Sequence, residues 1–370
     1  GQINASANGA AFVVFGSSVP QNVNLSAIAL GTSSQGFMIA GLSSDGARSL
    51  EIDNGDFNGD GLDDISFSFT GGTMNNVIVY GRANNTATVN VGTFTTTAST
   101  DGLRVTSRFG LNNVGDVNGD GVMDWSTSYN TSPWHQFWDF SLKYGTADAT
   151  SMSITMANGD FIGLYDANGQ YGYRDFAQGA DINGDGFGDL VVRTTAGFDA
   201  STARLEIYFG SATGISTAAG RGYQVTGLVG IDGLLVGLGD INGDGRADML
   251  TAVNGNNVFV NFGKTSTTNY NATELASGTS TNGFIIQGIN APPTPDLFRQ
   301  AKVVGDFNGD GLDDMVIGQP IMQLNGATTG GGYLIYGKTS SSTVFLTDLK
   351  VSEGFRINGV SNLDQALTGI

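Results

Sequence analysis

Apolar positions in this chain alternate with polar ones over short runs, and no segment of ten to twelve residues keeps a clean 3.6-residue apolar period, so the pattern predicts strands and no long helix. Three kinds of strand recur. One is apolar and ends in an aromatic followed by Gly: Phe12–Gly16, Val77–Gly81, Phe140–Gly145, Leu205–Gly210, Val258–Gly263 and Tyr333–Gly337. A second reads Gly-aromatic-x-apolar-x-Gly, at Gly36–Gly41, Gly222–Gly227, Gly283–Gly288 and Gly354–Gly359, with Gly102–Ser107 a weaker copy. The third is β-branched or aromatic, as in Ile65–Phe69, Leu190–Val192 and Met315–Ile317, and a short strand such as Ala301–Gly305 precedes it. Four strands per period result, called A to D from the short one onward. With 57 Gly among 370 residues, and each Gly in a helix interior unfavourable by about 1 kcal/mol, the chain is expected to be all-β.

Between strands A and B lies a nine-residue pattern, D-x-N-G-D-G-x-x-D, in five copies that begin at residues 56, 116, 181, 240 and 306, a period of 59 to 66. That period suits one four-stranded propeller blade with its turns and is too long for one helical-solenoid repeat. The expected fold is a β-propeller of four-stranded blades. Five are complete, at about 49–108, 109–166, 175–227, 234–288 and 299–359, and a sixth is a composite of 360–370 with 1–42. The chain therefore reads as a piece of a longer repeat array or a processed fragment.

The spelling of the loop suits a hard cation. Calcium takes six to eight oxygens, so short carboxylate and amide side chains must converge from alternate positions of a tight loop. The side-chain ligands expected at positions 1, 3, 5 and 9 are Asp56, Asn58, Asp60 and Asp64; Asp116, Asn118, Asp120 and Asp124; Asp181, Asn183, Asp185 and Asp189; Asp240, Asn242, Asp244 and Asp248; and Asp306, Asn308, Asp310 and Asp314. The carbonyls of Leu62, Val122, Phe187, Arg246 and Leu312 at position 7 would complete each shell. Gly at position 6 allows the reversal. Position 12, where an EF-hand carries Glu, holds Phe67, Thr127, Val192, Thr251 and Ile317, so these are strand–loop–strand sites. Five Ca2+ are expected. Taken singly the clusters would pass for turns; five copies with four fixed oxygen positions do not.

The loop, the strand after it, the aromatic–Gly strand and the Gly–aromatic strand together resemble the FG-GAP repeats of integrin α-subunit propellers and of large secreted bacterial calcium-binding proteins. The resemblance covers essentially the whole chain. It implies a propeller, usually seven-bladed, with calcium loops joining strands A and B on one face and B–C and D–A loops on the opposite, ligand-binding face.

The formal charge is −18, from 34 acidic and 16 basic residues; five bound Ca2+ would bring it to about −8. A chain with no basic patch has nothing to neutralise phosphates, which excludes nucleic acid. The absence of Cys removes disulfides and thiolate metal sites. Loops of this kind fill where calcium is millimolar, so an extracellular, secreted or cell-surface location is expected. No apolar run is long enough for a transmembrane helix. One His, His135, and carboxylates largely committed to calcium leave little for acid–base catalysis. The expectation is no enzyme, a propeller polysaccharide lyase ranking third among the readings. The first reading is adhesion or recognition of a glycan or an extracellular protein, and the second is a structural module of a surface layer or appendage. The segment Ser132–Phe140 breaks the repeat: its aromatics fall in the B–C connection, and Tyr171 and Tyr173 fall in the next D–A loop. Trp134, Trp138, Tyr171 and Tyr173 are thus candidate ligand residues, since exposed Trp and Tyr stack on sugars or anchor partners, against the plainer reading that the rings cover a wide strand pair.

Overall fold

A computed structural model describes residues 10–19, 21–41, 49–70, 76–83, 87–95, 97–105, 111–130, 138–145, 171–176, 179–196, 203–216, 220–228, 235–253, 257–278, 280–288, 301–319, 323–324, 327–328 and 330–359. The fold is all-β, a β-propeller built of small antiparallel sheets, and the helices among the described residues are short turns. It has five blades, one for each nine-residue loop.

The chain divides into two compact units. In the first lie the first blade (Ser49–Gly55, Asp64–Thr70, Asn76–Val79, Gly102–Val105) and the described strands of the second (Leu111–Gly115, Asp124–Asn130 and, from Asp139 on, Trp138–Lys143). It also holds an N-terminal sheet, Ala10–Val14 with Gly36–Ala40, the part of the expected sixth blade that falls among the described residues. In the second unit lie the third blade (Tyr171–Phe176, Leu190–Ala196, Arg204–Tyr208, Gly222–Thr226), the fourth (Leu235–Gly239, Asp248–Val253, Asn257–Asn261, Gly283–Gln287) and the fifth (Ala301–Gly305, Asp314–Gly318, Gly331–Ile335, Gly354–Asn358).

Within a blade each strand pairs antiparallel with the next in sequence, as in the fourth, where Leu250 faces Val260 and Phe259 faces Ile285. Alternation then puts apolar side chains on both faces, and neighbouring sheets bury them against each other. Ile207 and Val225 of the third blade share one core with Met249, Phe259 and Ile285 of the fourth. Leu250, Val260 and Phe284 of the fourth share another with Met315, Tyr333 and Ile335 of the fifth. Each such side chain, fully buried, contributes about 1.5–3 kcal/mol.

A fifth element recurs that the alternation does not announce. Between strands C and D a two-residue strap crosses to the preceding sheet and pairs in parallel with its last strand: Val89–Asn90 on Ile39–Ala40, Tyr270–Asn271 on Val225–Thr226, and Val344–Phe345 on Ile286–Gln287. One turn of helix follows each strap, and Asn90 and Asn271 side chains accept the amides of Gly92 and Thr273 at 3.0 Å to start it. The third blade begins at Tyr171, earlier than the expected 175, because Tyr171-Gly-Tyr-Arg-Asp-Phe176 is itself strand A, pairing Tyr171 with Ala196 and Tyr173 with Thr194.

Candidate metal centre

All five loops join strands A and B, and in each the chain folds onto its own acidic side chains. In the first, Asp56 Oδ1 accepts the amides of Gly59 and Asp60 at 2.8 and 3.1 Å, and Oδ2 accepts that of Gly61 at 2.8 Å. Asn58 Oδ1 takes the Asp60 amide and Asp60 Oδ1 the Leu62 amide, both at 2.9 Å. The third and fifth loops repeat every one of these bonds on Asp181, Asn183 and Asp185 and on Asp306, Asn308 and Asp310. Those amides hold the Asp306 carboxyl below the usual range, Gly311 foremost. Gly at positions 4 and 6 makes the winding possible: φ is +73° and +84° at Gly59 and Gly61, and +80° and +90° at Gly309 and Gly311.

Position 9 has a second task that its spacing alone does not reveal. Asp64, Asp124, Asp189, Asp248 and Asp314 are fully buried beneath the loop. Oδ1 of each accepts the amide of the Gly after strand C, from Gly81, Gly145, Gly210, Gly263 and Gly337, at 2.7–2.8 Å. Oδ2 accepts the amide at loop position 2, from Phe57, Ile182, Ile241 and Phe307, at 2.8–2.9 Å. The aromatic–Gly pair is thus explained: its Gly reaches the position-9 carboxylate. It must be Gly, because a Cβ at Gly81, Gly145, Gly210 or Gly263 would meet the position-8 carbonyl oxygen under 3.0 Å away.

Burial, and to a lesser extent repulsion from the carboxylates at positions 5 and 1, pushes Asp64, Asp189 and Asp248 up to about 7. Negative charge is therefore stacked in these loops beyond what the amides neutralise. In the fourth loop a local cation is present among the described residues, Arg246 pairing with Asp244. Among the described residues the acidic groups are not gathered in threes around one point; position 5 instead accepts the position-3 amide, Asn58 Nδ2 to Asp60 Oδ2, at 3.1 Å. The donor set of three carboxylates, an amide oxygen and a free position-7 carbonyl still fits a hard divalent cation, and each carboxylate oxygen that accepts one amide keeps a lone pair.

The loops are also linked blade to blade. The position-8 amide of one donates to the position-1 carbonyl of the loop before it: Met123 to Asp56 at 2.9 Å, Ala247 to Asp181 at 2.9 Å and Asp313 to Asp240 at 3.0 Å. In three of the repeats the residue after the aromatic–Gly pair is a cation lying on the strand-D aromatic of the preceding sheet. Arg82 stands 4.9 Å from the centre of Phe37, Lys264 4.3 Å from Tyr223 and Lys338 4.7 Å from Phe284. Both lysines are lowered by burial. Sequence reasoning missed these cations, although Tyr-Gly-Arg, Phe-Gly-Lys and Tyr-Gly-Lys recur in the right place.

The aromatic candidates are placed differently from expectation. Trp138 opens strand C of the second blade, and Tyr171 and Tyr173 lie within strand A of the third, so none of the three belongs to a connecting loop. Their polar neighbours, Gly172, Arg174 and Asp175, masked the strand. Trp134 and His135 lie outside the described residues. The third Trp, Trp125, is core, set edge-on against Phe57 at 6.2 Å. No protein-family model matches this chain, and no curated protein matches it.

Proposed function

We propose that this chain is a calcium-stabilised β-propeller that acts outside the cell by adhesion or recognition, without catalysis, in the manner of the FG-GAP repeats it resembles. One observation carries the calcium reading: the same winding of carboxylates and an amide around two left-handed glycines recurs blade after blade, with the position-9 carboxylate buried beneath it. The side chains at positions 1, 3, 5 and 9 and the carbonyl at position 7 would hold the ion. When bound, it supplies positive charge to the loop and ties the A–B turn to strand B and, through position 9, to the end of strand C. The chain's own amides pre-form the loop, so that little order remains to be imposed on binding.

Recognition is favoured over catalysis because the acidic groups are absorbed by loop geometry, and the one His lies apart from them in the sequence. The ligand reading rests on the resemblance and on the aromatic-rich break at Ser132–Phe140. A glycan array probed with calcium present, and again after chelation, tests it. Binding of a defined glycan class that vanishes with chelator supports recognition; no binding to glycans, together with no extracellular protein captured, favours a purely structural module.

A further inference from the structure

Within the second unit, the fourth and fifth loops grip each other. Position 1 of the fourth is Asp240, whose carboxylate winds that loop by accepting the amides of Asp244 and Gly245 at 3.0 and 2.9 Å. The main chain of Asp240 is held from the next blade by one residue, Asp313, at position 8 of the fifth loop. The Asp313 amide donates to the Asp240 carbonyl at 3.0 Å, and Asp313 Oδ2 accepts the Asp240 amide at 2.9 Å. Gly239 leaves room for this approach, since a Cβ there would lie 2.7 Å from Asp313 Oδ2.

A second path joins the same two loops. Gly337 donates to Oδ1 of Asp314, Lys338 beside it donates to the Ile241 carbonyl at 2.9 Å, and Ile241 donates to Oδ2 of Asp248. Two buried position-9 carboxylates are thereby connected through main-chain bonds that cross from blade to blade. Leu312, whose carbonyl is the expected position-7 ligand, also lays its side chain on Gly243, where a Cβ would collide with it. Other junctions have less. Met123 on Asp56, and Ala247 on Asp181, make the same main-chain bond at 2.9 Å and have no carboxylate to add to it.

We propose, resting on the calcium reading given above, that the fourth and fifth loops take up calcium as a coupled pair and that Asp313 is the positioning residue that couples them. Asp313 stands between two expected ligands of the fifth loop, the Leu312 carbonyl and the Asp314 carboxylate, so an ion in that loop fixes it from both sides. A fixed Asp313 holds both polar groups of the Asp240 main chain, and with them the carboxylate around which the fourth loop winds. The next ion then meets a loop that is already ordered, which raises its affinity without any change of fold. By linkage the effect is reciprocal.

The test reads each loop separately. In protein isotopically labelled at glycine, the amides of Gly186, Gly245 and Gly311, one at position 6 of each loop in the second unit, follow a calcium titration by nuclear magnetic resonance. Disabling the fifth loop with Asp310→Ala should weaken calcium binding at the fourth by about tenfold. Disabling the third with Asp185→Ala should weaken it by clearly less. In an Asp313→Ala protein the fourth loop should bind about tenfold more weakly at the outset, and adding Asp310→Ala should then change little. Asp313→Asn keeps an acceptor for the Asp240 amide and should restore the coupling, which a general loosening of the fold would not do. Affinity at the fourth loop that ignores Asp310→Ala, that falls as far with Asp185→Ala, or that responds to Asp310→Ala equally with and without the Asp313 side chain overturns the pairing and leaves calcium binding standing. Gly186, Gly245 and Gly311 amides that do not respond to calcium in the unaltered chain would overturn the calcium reading itself.

Discussion

Two glycines of the repeat look alike in sequence and differ in kind. At loop position 6 the space around Gly245 is open, and a side chain there meets only the strain of φ +82°. At Gly263 an added Cβ would run into the carbonyl oxygens of Ala247 and Ile182. Gly263→Ala should therefore destabilise by roughly 1–3 kcal/mol, as overpacking does, and do so with or without calcium. Gly245→Ala should remove about 1–2 kcal/mol of left-handed strain tolerance and chiefly lower calcium affinity at its own loop. Paired melting curves in calcium and in chelator separate the two; equal responses would refute the distinction. The position-6 role was legible because the turn it makes is local. The role of Gly263 was not, because it depends on strands brought together across 15 residues to Asp248. Buried Asp64, Asp189 and Asp248 make a further claim on the calcium-free protein. Each is raised to about 7 from an ordinary 3.8, so the stability they favour is full below 3.8 and is lost as pH rises through 7. Chelated protein should melt lower at pH 8 than at pH 5, and calcium, which favours the ionised carboxylates, should relieve that loss. Chelated protein that gains stability over the same range would contradict the burial assigned to them.

Elements with strong alternation were readable: Leu205–Tyr208, Val258–Asn261 and Tyr333–Ile335 fall where their apolar spacing puts them. The straps escaped notice because two residues carry no period, and the Tyr171–Phe176 strand escaped because Gly and charges interrupt it. Their energetic weight is nonetheless unequal to their length. Val344 is wholly buried on the preceding sheet, while Val351, a few residues on, is 92% exposed. Val344→Asp should cost more than about 3 kcal/mol by placing a charge in a closed junction, whereas Val351→Asp should stay within about 0.5 kcal/mol. Chemical denaturation midpoints decide it; similar values for both would mean that the straps do not hold the sheets together.

Across the whole molecule, the same few devices are repeated: an amide-lined acidic loop, a carboxylate anchored to the end of strand C, a strap, and a cation on an aromatic ring. A chain at −18 that concentrates its acid in five loops opposes its own folding unless cations settle there. The five complete blades and the placement of their loops could be read from the sequence because the repeat is regular, whereas the expected sixth blade is represented among the described residues only by the N-terminal sheet. What joins one sheet to the next could not, because those contacts form only once sheets stack. The central claim, that calcium occupies these loops and holds the propeller together, is met most directly by titrating calcium into chelator-stripped protein in a calorimeter and melting the protein at each point. The account predicts five ions bound per chain, one for each D-x-N-G-D-G-x-x-D loop, with a large rise in melting temperature that chelator reverses. Absence of binding heat, with one melting curve in calcium and in chelator, would contradict it.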